Sequence, residues 1–289
     1  MGIERRNFLK TLGFIGFSLT GIKSFGVTRK KGNDKELNGI LFDSTRCVGC
    51  QSCEVACAEK NGLPAPEDYP EVGVVRKTNE NRRVVVNAYN TSKGEQYMRN
   101  ACNHCINPAC ASSCLTKAML KTDEGPVTWD GGKCLGCRSC MISCPFEVPK
   151  FEYNSANPKI QKCTMCYDRI QEGSIPACVE ACPAEALQFG KRSELLDIAK
   201  SRIYNDPDNY NHAVYGEYEV GGTGVLYLAS VPFEELGLRT DVGLISYPEY
   251  NKTFLYSVPL VLILWPAFLL GLKSSVDERK KQLMKEKEN

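Results

Sequence analysis

The chain has 289 residues, of which 43% are hydrophobic and 24% charged, the proportions of a folded protein rather than a disordered one. Its 36 Lys and Arg stand against 34 Asp and Glu, for a formal charge of +2, so no basic surplus points to nucleic acid as a partner. The departure from ordinary usage is 16 cysteines, all between Cys47 and Cys182. A chain long enough to build its own core has no need of a disulfide scaffold.

At the start, residues 4–10 read ERRNFLK and lead into TLGFIGFSLTGI. A twin-arginine pair, Arg5 and Arg6, ahead of a modest apolar segment resembles a Tat-type export signal, placed at 1–27. No A-x-A cleavage site follows it. Export of this type carries folded cargo, which suits a protein that must receive metal before leaving the cytoplasm.

The first cysteine motif, CVGCQSCEVAC, holds Cys47, Cys50, Cys53 and Cys57. Its C-x2-C-x2-C-x3-C spacing is too tight for comfortable disulfides and is the spacing that wraps a [4Fe-4S] cube. The β-branched alternation of residues 71–89 predicts a hairpin. The second motif supplies Cys102, Cys105, Cys110 and Cys114, with His104 inside CNHC. No second His stands where a Rieske centre needs one, so His104 is read as a neighbour of the cage or a surface residue, not a ligand. A glycine turn and a short Val-Thr-Trp strand follow, before the third motif at Cys134, Cys137, Cys140 and Cys144. The fourth motif, Cys163, Cys166, Cys178 and Cys182, is lengthened by the insertion YDRIQEGSIPA.

The motifs are a duplicated pair. FDSTRCVGCQSCEVAC and WDGGKCLGCRSCMISC share an aromatic-Asp pair, a basic residue, Gly49 with Gly136 and Ser52 with Ser139. The second and fourth share NPAC and IPAC, with Ala118 and Ala186 four residues beyond the last Cys. Arg46, Lys133, Arg138 and Lys162 flank the cages, where they either raise cluster potentials or sit solvated on the surface. Zinc is the competing metal, but its fingers pair C-x2-C units across longer loops and often enlist His, of which the chain has two.

Beyond the cysteines, SELLDIAKSRI at 193–203 predicts a Ser-capped helix, and the glycines near Gly221 predict a turn into a strand rather than a phosphate loop. No nucleophile with an evident base appears, so no catalytic centre is expected on this chain. Phe254 to Leu272 carries no charge; as a helix it would span about 28 Å, close to one hydrocarbon core. A transmembrane helix is placed at 253–273. Lys252 precedes it, whereas Lys273, Arg279, Lys280, Lys281, Lys285 and Lys287 follow. The positive-inside rule therefore leaves 274–289 as a basic cytoplasmic tail and the body on the periplasmic side.

The second and third motifs, with their short connection, resemble a bacterial two-cluster ferredoxin. In that fold the fourth Cys of each motif serves the other cluster. The resemblance implies Cys102, Cys105, Cys110 and Cys144 around cluster 2, and Cys134, Cys137, Cys140 and Cys114 around cluster 3. By exclusion, Cys47, Cys50, Cys53 and Cys182 hold cluster 1, and Cys163, Cys166, Cys178 and Cys57 hold cluster 4. Pro145 and Pro183 follow their motifs as in ferredoxins, but Ala58 and Leu115 replace the expected Pro, which alters the local turn and not the ligand count. The implied fold class is α+β: duplicated ferredoxin-like domains plus one C-terminal transmembrane helix. One unit comprises 38–101 with 146–190, the other 102–145, and 191–252 forms a partner-docking extension.

With RRNFLK, DSTRCVGCQSC, CNHCINPAC, CLGCRSCMISCPFEVPKFEY, IPACVEACPAEALQFG and YGEYEVGGTGVLYLASVPFEELGL in view, the chain resembles the four-cluster subunits of membrane-bound periplasmic oxidoreductases. It is most similar to the iron-sulfur subunit of the hydrogenase-2 type of [NiFe]-hydrogenase, and the likeness covers nearly its whole length. That implies four [4Fe-4S] clusters and three partners: the small and large [NiFe]-hydrogenase subunits and an integral membrane quinone-reactive subunit. The β subunit of formate dehydrogenase, or of another molybdopterin oxidoreductase, is the alternative. A zinc-stapled docking scaffold is the non-redox one.

Overall fold

The computed structural model describes residues 36–288. The leader at 1–27, with Arg5 and Arg6, lies outside them. A three-stranded sheet forms the base of the body, with β1 (Asn38–Asp43) in the centre, β8 (Leu187–Lys191) antiparallel on one side and β9 (Val225–Leu228) parallel on the other. Strand alternation sorts its side chains into two cores. Ile40, Phe42, Leu187, Val225 and Tyr227 face the cysteine motifs together with Met98 and Tyr215. Leu41, Leu226 and Leu228 face Leu195 and Ala199 of helix α6 (Arg192–Asn205).

Residues 191–252 are thus no appendage: they supply β9, α6 and the aromatic cluster Tyr215, Tyr227 and Phe233. Nor does α6 carry the expected Ser cap. Lys191 is its N-cap residue, and the amide of Arg192 donates to Leu37 O at 2.8 Å, so Ser193 lies within the first turn. The glycines near Gly221 do form a turn into a strand.

The hairpin expected at 71–89 is displaced along the chain. Strand β2 (Val85–Thr91) pairs with β3 (Gly94–Asn100) through a two-residue loop, whereas 71–78 contains no strand and only an isolated Asn79–Arg82 bridge precedes β2. Both segments carry the Val alternation, but only β2 has a partner of matching length. Two smaller hairpins complete the sheets: β4 (Met119–Lys121) with β5 (Val127–Trp129), and β6 (Lys150–Phe151) with β7 (Ile160–Gln161).

The short helices each carry cysteines or follow them: α1 (Ser52–Asn61), α2 (Ala109–Ser112), α3 (Ser139–Ser143), α4 (Tyr167–Gln171) and α5 (Ala177–Glu180). The missing Pro has a visible effect in one place. Pro145 closes the chain off after α3, but Ala58 lets α1 continue to Asn61, where Gly62 at φ 60° caps it. Helix α7 (Tyr247–Glu288) outruns the expected 253–273 at both ends; its 42 residues extend roughly 63 Å, about twice a hydrocarbon core. It is long and apolar enough to cross a membrane, and it contains Pro259 and Pro266.

Candidate metal centre

The first and third motifs begin on the same local device. Asp43 and Asp130 accept from the backbone amide two residues on, Thr45 at 3.1 Å and Gly132 at 2.9 Å, and each pairs with the basic residue three positions on, Arg46 at 3.7 Å and Lys133 at 3.1 Å. That turn aims the next residue, Cys47 or Cys134, inward. Two residues after the leading Cys, all four motifs then place a left-handed residue: Gly49, His104, Gly136 and Met165, with φ between 48° and 68°. Glycine adopts this readily and the other two do not, so the conformation is imposed by the wrap itself. At Gly49 a side chain would also collide with the Tyr97 ring at 2.4 Å.

The reversal turns backbone amides toward sulfur. Gly136 donates to Cys134 Sγ at 3.4 Å, Met165 to Cys163 Sγ at 3.3 Å, and Met119 to Cys114 Sγ at 3.4 Å. Concave runs of N–H groups of this kind favour an anion, here thiolate.

All sixteen cysteines are free of disulfides, and the fold gathers them by proximity. Burial pushes the Cys47 thiol up to about 11, and Cys182 and Cys50 raise it further. Burial likewise lifts Cys57, which is crowded by Cys163, Cys178 and Cys166. It lifts Cys105, whose neighbours are Cys102, Cys144 and Cys110, and takes Cys140 up to about 11 beside Cys114, Cys134 and Cys137. Each of these sets mixes thiols of two motifs. Among the described residues no three His, Cys, Asp or Glu side chains converge closely enough for a single metal ion. A cube of iron and sulfide holds its four thiolates farther apart than one ion does, and the donor set is all sulfur, as such cubes require.

The groups form a row. Cys53 lies near Cys178, joining the first group to the fourth. Cys102 packs against the buried cluster that holds Cys57 and Cys163, joining the fourth to the second. Cys110 packs beside Cys140, joining the second to the third, and the Ser113 and Ser143 hydroxyls bond at 2.8 Å across the same joint. The only exposed cysteines are Cys50 and Cys137, one in each terminal group. At the joint between the second and third groups, α2 packs on α7, and a cleft of about 690 Å³ opens between Ser112, Ile142 and Ser143 on one wall and Tyr247, Asn251 and Leu255 on the other. Leu115, Leu135 and Ile142 stand exposed around the third group.

The flanking residues divide. Arg46, Lys133 and Arg138 lie at the rim, the last over the Phe151 and Tyr153 rings. Lys162 is instead 2% exposed; its ammonium donates to Val127 O, to Cys163 O at 2.8 Å and to Cys102 Sγ at 3.9 Å, at the joint between the fourth and second groups. His104 is buried, so of the two expected settings it takes the one beside the cage. Its Nδ1 accepts from the Val127 amide at 2.9 Å, and burial holds its pKa well below 6.5, aided by Lys162 and Lys121. The neutral ring then carries its proton on Nε2, a buried donor without a partner among the described residues. Burial also brings the Lys121 ammonium down to about 8; it donates to His104 O at 2.9 Å.

Sequence reasoning missed Arg99, which is fully buried near Cys178, Cys163 and Cys53. It also missed Tyr227, whose hydroxyl donates to Asn103 Oδ1 at 2.7 Å between the second and fourth groups. Arg99 had one signal, its position three residues before Cys102; Tyr227 had none, being far from every motif. Buried donors of Arg99 that no described residue accepts, beside Cys178, Cys163 and Cys53, suit sulfur acceptors, and with an all-thiol donor set the residues fit [4Fe-4S] clusters.

A fold of this kind, with sulfur-only cages in line, defines an iron-sulfur electron-transfer protein. Residues 94–192 match the 4Fe-4S dicluster domain. A protein of Nitratidesulfovibrio vulgaris (strain Hildenborough) is 43% identical over 99% of this chain and 80% of its own length. The hydrogenase-2 operon protein HybA of Escherichia coli O157:H7 is 35% identical over 82% of this chain and 84% of its own. The iron-sulfur subunit of the nitrate-inducible formate dehydrogenase of Escherichia coli K12 is 33% identical over 65% of this chain and 66% of its own. The chain belongs to the HybA family of iron-sulfur proteins.

Proposed function

We propose that this chain relays electrons through four [4Fe-4S] clusters between the small and large subunits of a periplasmic [NiFe]-hydrogenase and an integral membrane quinone-reactive subunit, with no catalytic centre of its own. In this reading Cys47, Cys50, Cys53 and Cys182 hold cluster 1; Cys102, Cys105, Cys110 and Cys144 cluster 2; Cys134, Cys137, Cys140 and Cys114 cluster 3; and Cys163, Cys166, Cys178 and Cys57 cluster 4. Each cluster, when bound, supplies a one-electron couple. The protein's part is to hold the thiolates, to line the row with buried apolar side chains and to leave an opening at each end.

The observation that carries the reading is that row: four neighbouring cysteine groups with an exposed member at either end, the second and third groups lying beside α7. It supports entry at the first-and-fourth pair and exit from the second-and-third pair, toward the membrane. The export signal at 1–27 and the basic tail at 274–289 support a body on the periplasmic face of the cytoplasmic membrane, with the tail in the cytoplasm. The likeness to HybA, whose name ties it to hydrogenase-2, favours a hydrogenase partner over the molybdopterin enzyme of the formate dehydrogenase relative.

Mild detergent extraction of the membrane, affinity capture of this chain and metal analysis of what comes with it test the assignment. Nickel is expected in the captured complex, together with hydrogen-dependent reduction of a quinone analogue. Molybdenum or tungsten in its place would replace the hydrogenase reading with the alternative.

A further inference from the structure

Arg99 lies in β3 with its side chain drawn under the hairpin, 1% exposed. Its Nη2 donates to Cys178 Sγ at 3.6 Å. Nε and Nη1 are buried too and have no hydrogen-bond partner among the described residues, none of which brings a carboxylate into an ion pair with Arg99. Burying a guanidinium is costly unless its charge and its N–H groups are met, and this side chain cannot shed its proton to escape the cost. Around it stand Cys178 and Cys163 from the fourth group and Cys53 from the first. The anions that answer this cation are therefore the two groups between which it sits.

We propose that Arg99 is an electrostatic clasp between clusters 1 and 4, bonding the Cys178 thiolate and offering its two remaining donors to cluster sulfur, and that it raises the reduction potentials of both. The physical reason is plain. Reduction adds one negative charge to a cluster, and a fixed positive charge beside it in a water-poor interior stabilises the reduced form more than the oxidised one. The clasp is selective, because the thiols that feel Arg99 are Cys47, Cys53, Cys57 and Cys178, whereas the cation beside Cys105 is Lys121 and that beside Cys110 and Cys144 is Lys162. The guanidinium therefore sets the potential at the end of the row where electrons enter, which makes Arg99 a tuning residue and not a ligand. The inference rests on the four-cluster reading.

The test is an anaerobic potentiometric titration of the complete holoprotein, followed by electron paramagnetic resonance, on wild type, Arg99→Gln and Arg99→Lys. Arg99→Gln is expected to keep about sixteen irons and to shift two of the four midpoint potentials downward, with the other two unmoved; Arg99→Lys, which keeps the charge, should shift the same two less. Four unmoved potentials, or four shifted alike, would overturn the clasp. Should Arg99→Gln fail to assemble, pulsed resonance of the wild type after exchange into deuterated water decides. Exchangeable-proton couplings at two clusters, weakened in Arg99→Lys, are expected, and couplings unchanged in Arg99→Lys or absent from wild type would overturn it. A wild-type iron content far from about sixteen sinks the four-cluster reading instead, so the two failures are distinct.

Discussion

Glu54 lies in α1 between Cys53 and Cys57, which serve different groups, and it ties that helix to the β2–β3 hairpin. It is 3% exposed. Its carboxylate accepts from Arg76 Nη2 at 2.6 Å and Nη1 at 3.3 Å, and from the Val86 amide at 2.5 Å. Arg76 is buried as well, and Glu54→Ala takes away its closer carboxylate; breaking a buried pair typically costs about 3–5 kcal/mol. Arg76 keeps Val86 O, the Asp68 carbonyl at 3.2 Å and the half-exposed Asp68 carboxylate at 3.5 Å, which places the loss at the lower end, and the orphaned Val86 amide adds about 1 kcal/mol. The total is about 4 kcal/mol out of the ~5–15 that hold a domain. Cluster loss makes equilibrium unfolding ill-defined, so the assay is kinetic: anaerobic bleaching of the visible absorbance in guanidinium. If the loss falls on the unfolding limb, Glu54→Ala bleaches about a thousandfold faster than wild type. Glu54→Gln, which still accepts from Val86, falls between. Replacing Glu54 and Arg76 together by Met restores most of the difference, because no charge is then left buried unpaired. Equal bleaching in wild type and Glu54→Ala, or no recovery in the double variant, would refute the reasoning.

Crossed ligation is readable in iron content, since two lesions in one cage remove one cluster and two lesions in different cages remove two. Cys114→Ser with Cys137→Ser should therefore retain about twelve irons, and Cys114→Ser with Cys105→Ser about eight; the reverse order would mean that each motif fills its own cage. Lys162→Met removes an ammonium 3.9 Å from Cys102 Sγ, worth about 4 kcal/mol between unit charges at an effective dielectric of about 20 and about half that once the charge is spread over a cube. The midpoint potential of cluster 2 should fall by roughly 90 mV in a redox titration, and an unchanged value would contradict the role given to this lysine.

The cages were legible because their information is local. C-x2-C spacing, an Asp three residues before the leading basic residue and glycine two residues after the first Cys each act within one turn of chain. The duplication was legible for the same reason. What the sequence hid depends on register and on distant partners. Arg99 and Lys162 look like any surface cation, and only the pairing of β3 with β2 and the packing of β5 against Lys162 turn them inward. Val72, Val74 and Val75 are as β-branched a run as Val84 to Val86, yet the first run stays exposed apart from its link through Arg76 to Glu54 and Asn87, because it has no strand pairing. Residues 191–252 carry no motif, and their share in the core follows from β9 adding to β1 in parallel, a contact across more than 180 positions that no local pattern announces.

Iron and acid-labile sulfide, measured per chain on anaerobically purified full-length protein alongside zinc, bear most directly on the central claim that sixteen cysteine thiolates hold four cubes. About sixteen of each, with zinc absent and a brown colour bleached by dithionite, is the expected result. A folded, colourless protein free of iron, or one loaded with zinc, would contradict it.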